Sequence, residues 1–148
     1  MKNYNTKAFD ILVIEDNPGD ARLIKEVLIE NKILNNLNIL KDGVEAMNFL
    51  LKKGEYTNAP RPDLIFLDLN LPKKDGREVL SEIKTNDILK QIPVVVMTTS
   101  QSEEDIFKSY SLHANCYITK PIDLEQFVKV IQSLEDFWFS LVKLPPKE

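Results

Sequence analysis

Five short apolar runs punctuate the chain, at 9–14 (FDILVI), 37–40 (LNIL), 63–67 (DLIFL), 93–97 (PVVVM) and 115–118 (NCYI). Their length and their content of branched and aromatic residues predict β-strands. Between them the period changes. After Asn17 and Pro18, the apolar residues Ala21, Ile24, Val27 and Leu28 recur at helical spacing, and comparable patterns cover 43–52, 77–84, 103–112 and 124–137. Strand and helix therefore alternate in a (βα)5 order, the signature of an α/β fold. The first, third and fourth runs are almost continuously apolar, as expected of strands covered by helices on both faces. The pattern thus predicts a doubly wound, five-stranded parallel sheet.

Composition narrows the range of functions. At 148 residues the chain falls within the size of one domain, and neither the 53–62 nor the 71–76 loop is biased enough to be an interdomain linker. A net charge of -4 offers no broad cationic face, so nucleic-acid binding is not expected. The lone cysteine, Cys116, and the polar opening MKNYNTKAF predict a reducing, cytoplasmic setting. Membrane association is not expected either, because no apolar run reaches the roughly 18 residues of a spanning helix.

Ligands of open α/β sheets gather beyond the C-terminal ends of the strands, and here those ends carry the candidate chemistry. Glu15 and Asp16 follow the first strand, Asp68 the third, Thr98 the fourth and Lys120 the fifth. Three carboxylates on one sheet edge would repel one another unless a cation neutralised them. An all-oxygen site of this kind suits Mg²⁺, which takes one or two carboxylates and leaves positions for phosphate oxygens. The Lys120 ammonium could neutralise a phosphoryl group, and Thr98 could add a hydroxyl donor. Taken singly, these residues have plainer readings: Glu15 serves equally as a helix cap, Thr98 as a strand-end hydroxyl and Lys120 as a solvated lysine. Asp68 is harder to explain away, because Leu69-Asn70-Leu71-Pro72 offers no immediate helix to cap and the strand before it is apolar.

In order and spacing, Glu15-Asp16, Asp68, Thr98 and Lys120-Pro121 resemble the response-regulator receiver family of two-component signalling. Asp68-Leu69-Asn70-Leu71-Pro72 and the Asp75-Gly76 turn extend the likeness, which runs from about Phe9 to Phe137. It implies a flavodoxin-like sheet of order 2-1-3-4-5. On this division, 1–8 are an N-terminal extension, 9–137 the receiver and 138–148 an apolar C-terminal extension. The stretches RPDLIFLDLNLPKKDGREVL, IPVVVMTTS and EDFWFSLVKLP are similar to single-domain regulators paired with phytochrome histidine kinases.

The resemblance implies that Asp68 accepts a phosphoryl group from a sensor histidine kinase. Asp16, Asp68 and the backbone carbonyl of Asn70 would bind Mg²⁺, with Glu15 holding a magnesium-bound water. Thr98 and Lys120 would contact the phosphoryl oxygens, with a cis Lys120-Pro121 peptide bond beside them. Asn70 and Ser100 would tune the phosphoryl lifetime. Thr98 and Tyr117 would form a switch acting on the face built from 103–112, 115–118 and 124–137, read by an unknown downstream protein. Such a chain catalyses only its own phosphorylation and dephosphorylation.

Phe137, Trp138, Phe139 and Leu141, with Val142 and Leu144, are too apolar for a free tail, and homodimerisation through them is expected, folding back being the competing use. His113 and Cys116 read as structural, and Lys73, Lys74 and Arg77 as a solvated charged loop. A phosphatase of the haloacid-dehalogenase type is disfavoured because Asn70 stands where an acid is needed two positions after the nucleophile. A phosphorylation-independent pseudo-receiver is disfavoured by the complete acidic set.

Overall fold

The computed structural model describes residues 9–30, 35–99 and 116–143. Five strands, β1 (Phe9–Ile14), β2 (Asn35–Leu40), β3 (Leu64–Asp68), β4 (Val94–Thr98) and β5 (Cys116–Thr119), form one sheet of order β2-β1-β3-β4-β5. All four pairings are parallel. Four described helices accompany them: α1 (Pro18–Glu30), α2 (Gly43–Leu50), α3 (Gly76–Thr85) and α4 (Leu124–Lys143). The helix expected over 103–112 and Ser100 lie outside the described residues, as do 1–8 and 144–148.

Strand alternation divides the core into two layers. Leu12, Ile14, Ile65, Leu67, Val94 and Val96 pack with α2 and α3 through Ala46, Phe49, Leu80 and Ile83. Their neighbours Ile11, Val13, Leu64, Phe66, Val95 and Met97 face α1 and α4 through Ile24, Leu28, Phe127 and Ile131. Phe66 and Phe127 meet edge to face with centroids 5.6 Å apart, a geometry worth about 0.5–1.5 kcal/mol beyond burial alone.

Element ends differ from the sequence pattern in instructive ways. Asp68 and Thr98 are the last residues of β3 and β4 rather than residues after them, because the ladder continues through their backbones: Asp68 pairs with Met97 and Thr98 with Thr119. The β2 strand starts at Asn35, two residues before its apolar run. An edge strand is only half-buried, so Asn35, Asn36 and Asn38 sit in it without cost. The α2 helix stops at Leu50 rather than continuing to 52, since Lys52 turns into the left-handed region at φ 57°. A short 3-10 turn at Gly54–Tyr56 follows, setting the Tyr56 ring against Phe49 at a tilt of 59°. At the C-terminus α4 runs past Phe137 to Lys143, so residues 138–143 continue the helix.

Candidate phosphoacceptor and metal site

The same alternation that builds the core aims the site. Glu15, Asp68 and Lys120 each lie two residues beyond a core residue of the α1/α4 layer, namely Val13, Phe66 and Ile118, and so inherit that direction. Backbone pairing holds the two that lie past their strands: Glu15 N–H donates to Leu40 O at 2.9 Å, and Lys120 N–H to Thr98 O at 2.7 Å. All three side chains are almost fully buried.

They meet in one charged knot. The Lys120 Nζ donates to Glu15 Oε1 at 2.6 Å and to Asp68 Oδ2 at 3.1 Å. A third carboxylate, Asp20 Oδ2, lies 2.9 Å from the same ammonium. Asp20 was not among the residues singled out from the sequence. The signal for it was present, since a helix starting at Pro18 on the layer that Glu15 and Asp68 face puts Asp20 in its first turn.

Helix-start chemistry settles the two uses of Glu15. The α1 cap is supplied by Asn17, whose Oδ1 accepts from Asp20 N–H at 3.0 Å. Glu15 Oε2 accepts the Asn17 N–H at 3.1 Å, while Oε1 accepts from the lysine. Burial, together with hydrogen bonding to Asp68 and its charge, pushes the Glu15 carboxyl up to about 7 despite the opposing pull of Lys120. Burial acts the other way on Lys120, but its bonds to Glu15 and Asp20 and the Asp68 charge prevail, holding the ammonium above its ordinary value.

Glu15, Asp16 and Asp68 each offer a carboxylate oxygen, all within 4.8 Å of one another, with Asp16 exposed and the other two buried. Three carboxylates, those of Glu15, Asp20 and Asp68, thus meet the Lys120 ammonium, and Asp16 adds a fourth beside Glu15 and Asp68. That excess of buried and half-buried negative charge, presented through oxygen atoms alone, fits a hard divalent cation. The loop after β3 closes on the same place: Asn70 N–H donates to Asp68 Oδ1 at 2.9 Å, and Asn70 Nδ2 donates to Thr99 Oγ1 at 2.8 Å. Thr99 is a second contact that the sequence pattern did not single out. Thr98 is buried at the end of β4, and the Lys120-Pro121 peptide bond is cis. Tyr117 lies in β5 opposite Val96.

A sheet of order 2-1-3-4-5 whose central strand ends in a buried aspartate, set among carboxylates and bonded to Lys120, defines a domain of the receiver class. The chain belongs to this family: residues 11–132 match the response regulator receiver domain. It is 57% identical over 135 residues to response regulator Rcp1 of Synechocystis sp., covering 91% of this chain and 92% of that one. Among solved structures it resembles the phosphorylated cyanobacterial phytochrome response regulator RcpA, with a TM-score of 0.80 and 53% identity, covering 95% of this chain and 100% of that one. The Mn²⁺-bound form of Rcp1 superimposes with a TM-score of 0.79 at 56% identity, covering 93% of this chain and 99% of its own. Among the described residues, no helix is long and apolar enough to cross a membrane.

Proposed function

We propose that the chain is a cytoplasmic response regulator that takes a phosphoryl group onto Asp68 from a sensor histidine kinase of the phytochrome type, in a Mg²⁺-dependent reaction. The observation that carries this reading is the Lys120 ammonium held between Glu15 and Asp68 at 2.6 and 3.1 Å. An aspartate bonded to a buried lysine at a strand end is poised to react and to have the product's charge compensated. The relatives lend support: RcpA was solved in a phosphorylated form and Rcp1 with Mn²⁺.

In the reaction, an Asp68 carboxylate oxygen attacks phosphorus in line, and the bond to the histidine nitrogen breaks as the imidazole leaves. Lys120 neutralises the oxygens of the transferred group, and Thr98 donates its hydroxyl to one of them. Asp16, Asp68 and the Asn70 carbonyl would hold Mg²⁺, with Glu15 retaining one of its waters. When bound, Mg²⁺ supplies positive charge against the phosphoryl oxygens. The acyl phosphate so formed is open to water, and Asn70 and Ser100 set how readily that water enters.

The new charge draws Thr98 toward the phosphoryl group, and Tyr117 moves into the space released, altering the face to which β5 and α4 belong. A downstream protein reads that face. The length of α4 supports homodimerisation: 20 residues span about 30 Å, against about 13–20 Å for strands of four to six residues. Phe127 and Ile131 anchor the first half to the core. The second half carries Phe137, Trp138, Phe139 and Leu141 in its sequence, and through it the chain meets a second copy. Phosphoryl transfer to Asp68 from a small-molecule donor, dependent on Mg²⁺, tests the core of the proposal.

A further inference from the structure

From the packing of the loop after β3 we infer that Gly43, at the start of α2, is a positioning residue for the metal and phosphoryl site, acting through the 69–75 loop. The inference rests on the metal role proposed for Asp68 and Asn70. Gly43 lies 25 positions before Asp68, and it is buried against the far side of the loop.

The contact is backbone on backbone. A Cβ at Gly43 would stand 2.2 Å from the Lys74 carbonyl oxygen and 2.7 Å from Lys74 Cβ. Gly43 N–H also donates to Pro72 O at 3.4 Å. Beside it, Asp42 caps α2 by accepting from Glu45 N–H at 2.8 Å, and its other oxygen lies 3.7 Å from Lys73 Nζ. Lys73 takes a left-handed φ of 68° to make this approach, a conformation unusual for a residue with a side chain.

The loop's other end is fixed just as closely. Gly76 N–H donates to Leu69 O at 3.0 Å, and a Cβ at Gly76 would fall 2.3 Å from the Asp68 carbonyl oxygen. A methyl group at Gly43 must therefore displace something. The α2 helix cannot yield, because Ala46, Met47 and Phe49 are locked in the core. Nor can Leu69 and Gly76, both buried. The displacement falls on the exposed and half-buried residues between, which include Asn70, whose N–H fixes Asp68 Oδ1 at 2.9 Å. Gly43 thus sets the distance between the Asn70 carbonyl and the Asp68 carboxylate without touching either.

The test is a calorimetric titration with Mg²⁺ of the wild type, Gly43→Ala and Ile92→Val, a core substitution outside the loop, with the stability of each measured in chelator. Groups that hold a ligand in place without contacting the metal typically contribute 10–100-fold to affinity, so Gly43→Ala should weaken Kd about tenfold or more while Ile92→Val leaves it unchanged. Equal Kd values in all three, whatever their stabilities, would overturn the inference and reduce Gly43 to a structural residue. Should Gly43→Ala fail to fold, the wild type still decides: saturation with Mg²⁺ should shift the Gly43 amide resonance and slow its hydrogen exchange, and an unmoved Gly43 amide would overturn it. A wild type that does not bind Mg²⁺ removes the metal reading itself, and is told apart because all three proteins then give flat titrations.

Discussion

Lys120 Nζ lies 2.6 Å from Glu15 Oε1, across 105 positions of sequence, with both side chains almost wholly out of solvent. The pair closes the sheet edge by tying the residue after β5 to the residue after β1, over the end of β3. Removing one member of a buried pair leaves the other charge uncompensated, at about 3–5 kcal/mol. Lys120→Ala should therefore destabilise the metal-free protein by that order at pH 8 in denaturant titrations, and by less at pH 5, where Glu15 takes up a proton. Equal losses at both pH values would contradict the charge argument.

Asp68→Asn should do the opposite. The variant keeps one of the two acceptor oxygens that Asn70 and Lys120 use and removes one of the crowded negative charges. In chelator it should be more stable than the wild type by on the order of 1 kcal/mol, a rise of a few degrees in Tm for a chain of this size. A lower Tm would mean that the Lys120–Asp68 attraction outweighs the repulsion among the acids.

The proton on Glu15 gives the fold a pH dependence of defined sign. Its folded value, about 7, lies above the ordinary 4.5, so the folded state binds this proton more tightly than the unfolded chain. That contribution is fully present below about 4.5 and is lost as pH rises through about 7, amounting to about 3 kcal/mol at 1.36 kcal/mol per pH unit. Metal-free wild type should lose stability over this window relative to Glu15→Gln. Mg²⁺ affinity should rise over the same window, because the cation and the proton compete for one cluster. Parallel stability profiles for the two proteins would refute it.

The length of α4 and the apolar sequence of its second half predict a concentration-dependent dimer. Sedimentation over a hundredfold range should show the wild type associating, while a Trp138→Asp, Phe139→Asp double variant stays monomeric with unchanged core stability. A wild type that is monomeric throughout would leave the aromatic residues to packing within their own chain.

Much of this fold was legible in the order of apolar runs, because β1, β3 and β4 are buried on both faces and must read as continuous hydrophobic stretches. The edge strand β2 was less so: the asparagines that open it carry no strand signal, and only pairing with Phe9 and Asp10 identifies them. The site was legible as a set of strand-end residues. Its direction could also have been read, since Glu15, Asp68 and Lys120 continue the alternation of Val13, Phe66 and Ile118. Asp20 and Gly43 escaped for a different reason. One is an ordinary first-turn acid and the other an ordinary glycine after a helix cap, and each gains its role only from what the tertiary fold brings against it.

The most direct measurement is the intact mass of the protein after incubation with a small-molecule phosphodonor, with and without Mg²⁺, for the wild type and Asp68→Asn. The wild type should gain the mass of one phosphoryl group only with Mg²⁺, and Asp68→Asn should gain none. An unchanged wild-type mass, or an equal gain in Asp68→Asn, would contradict the assignment of Asp68 as the phosphoacceptor.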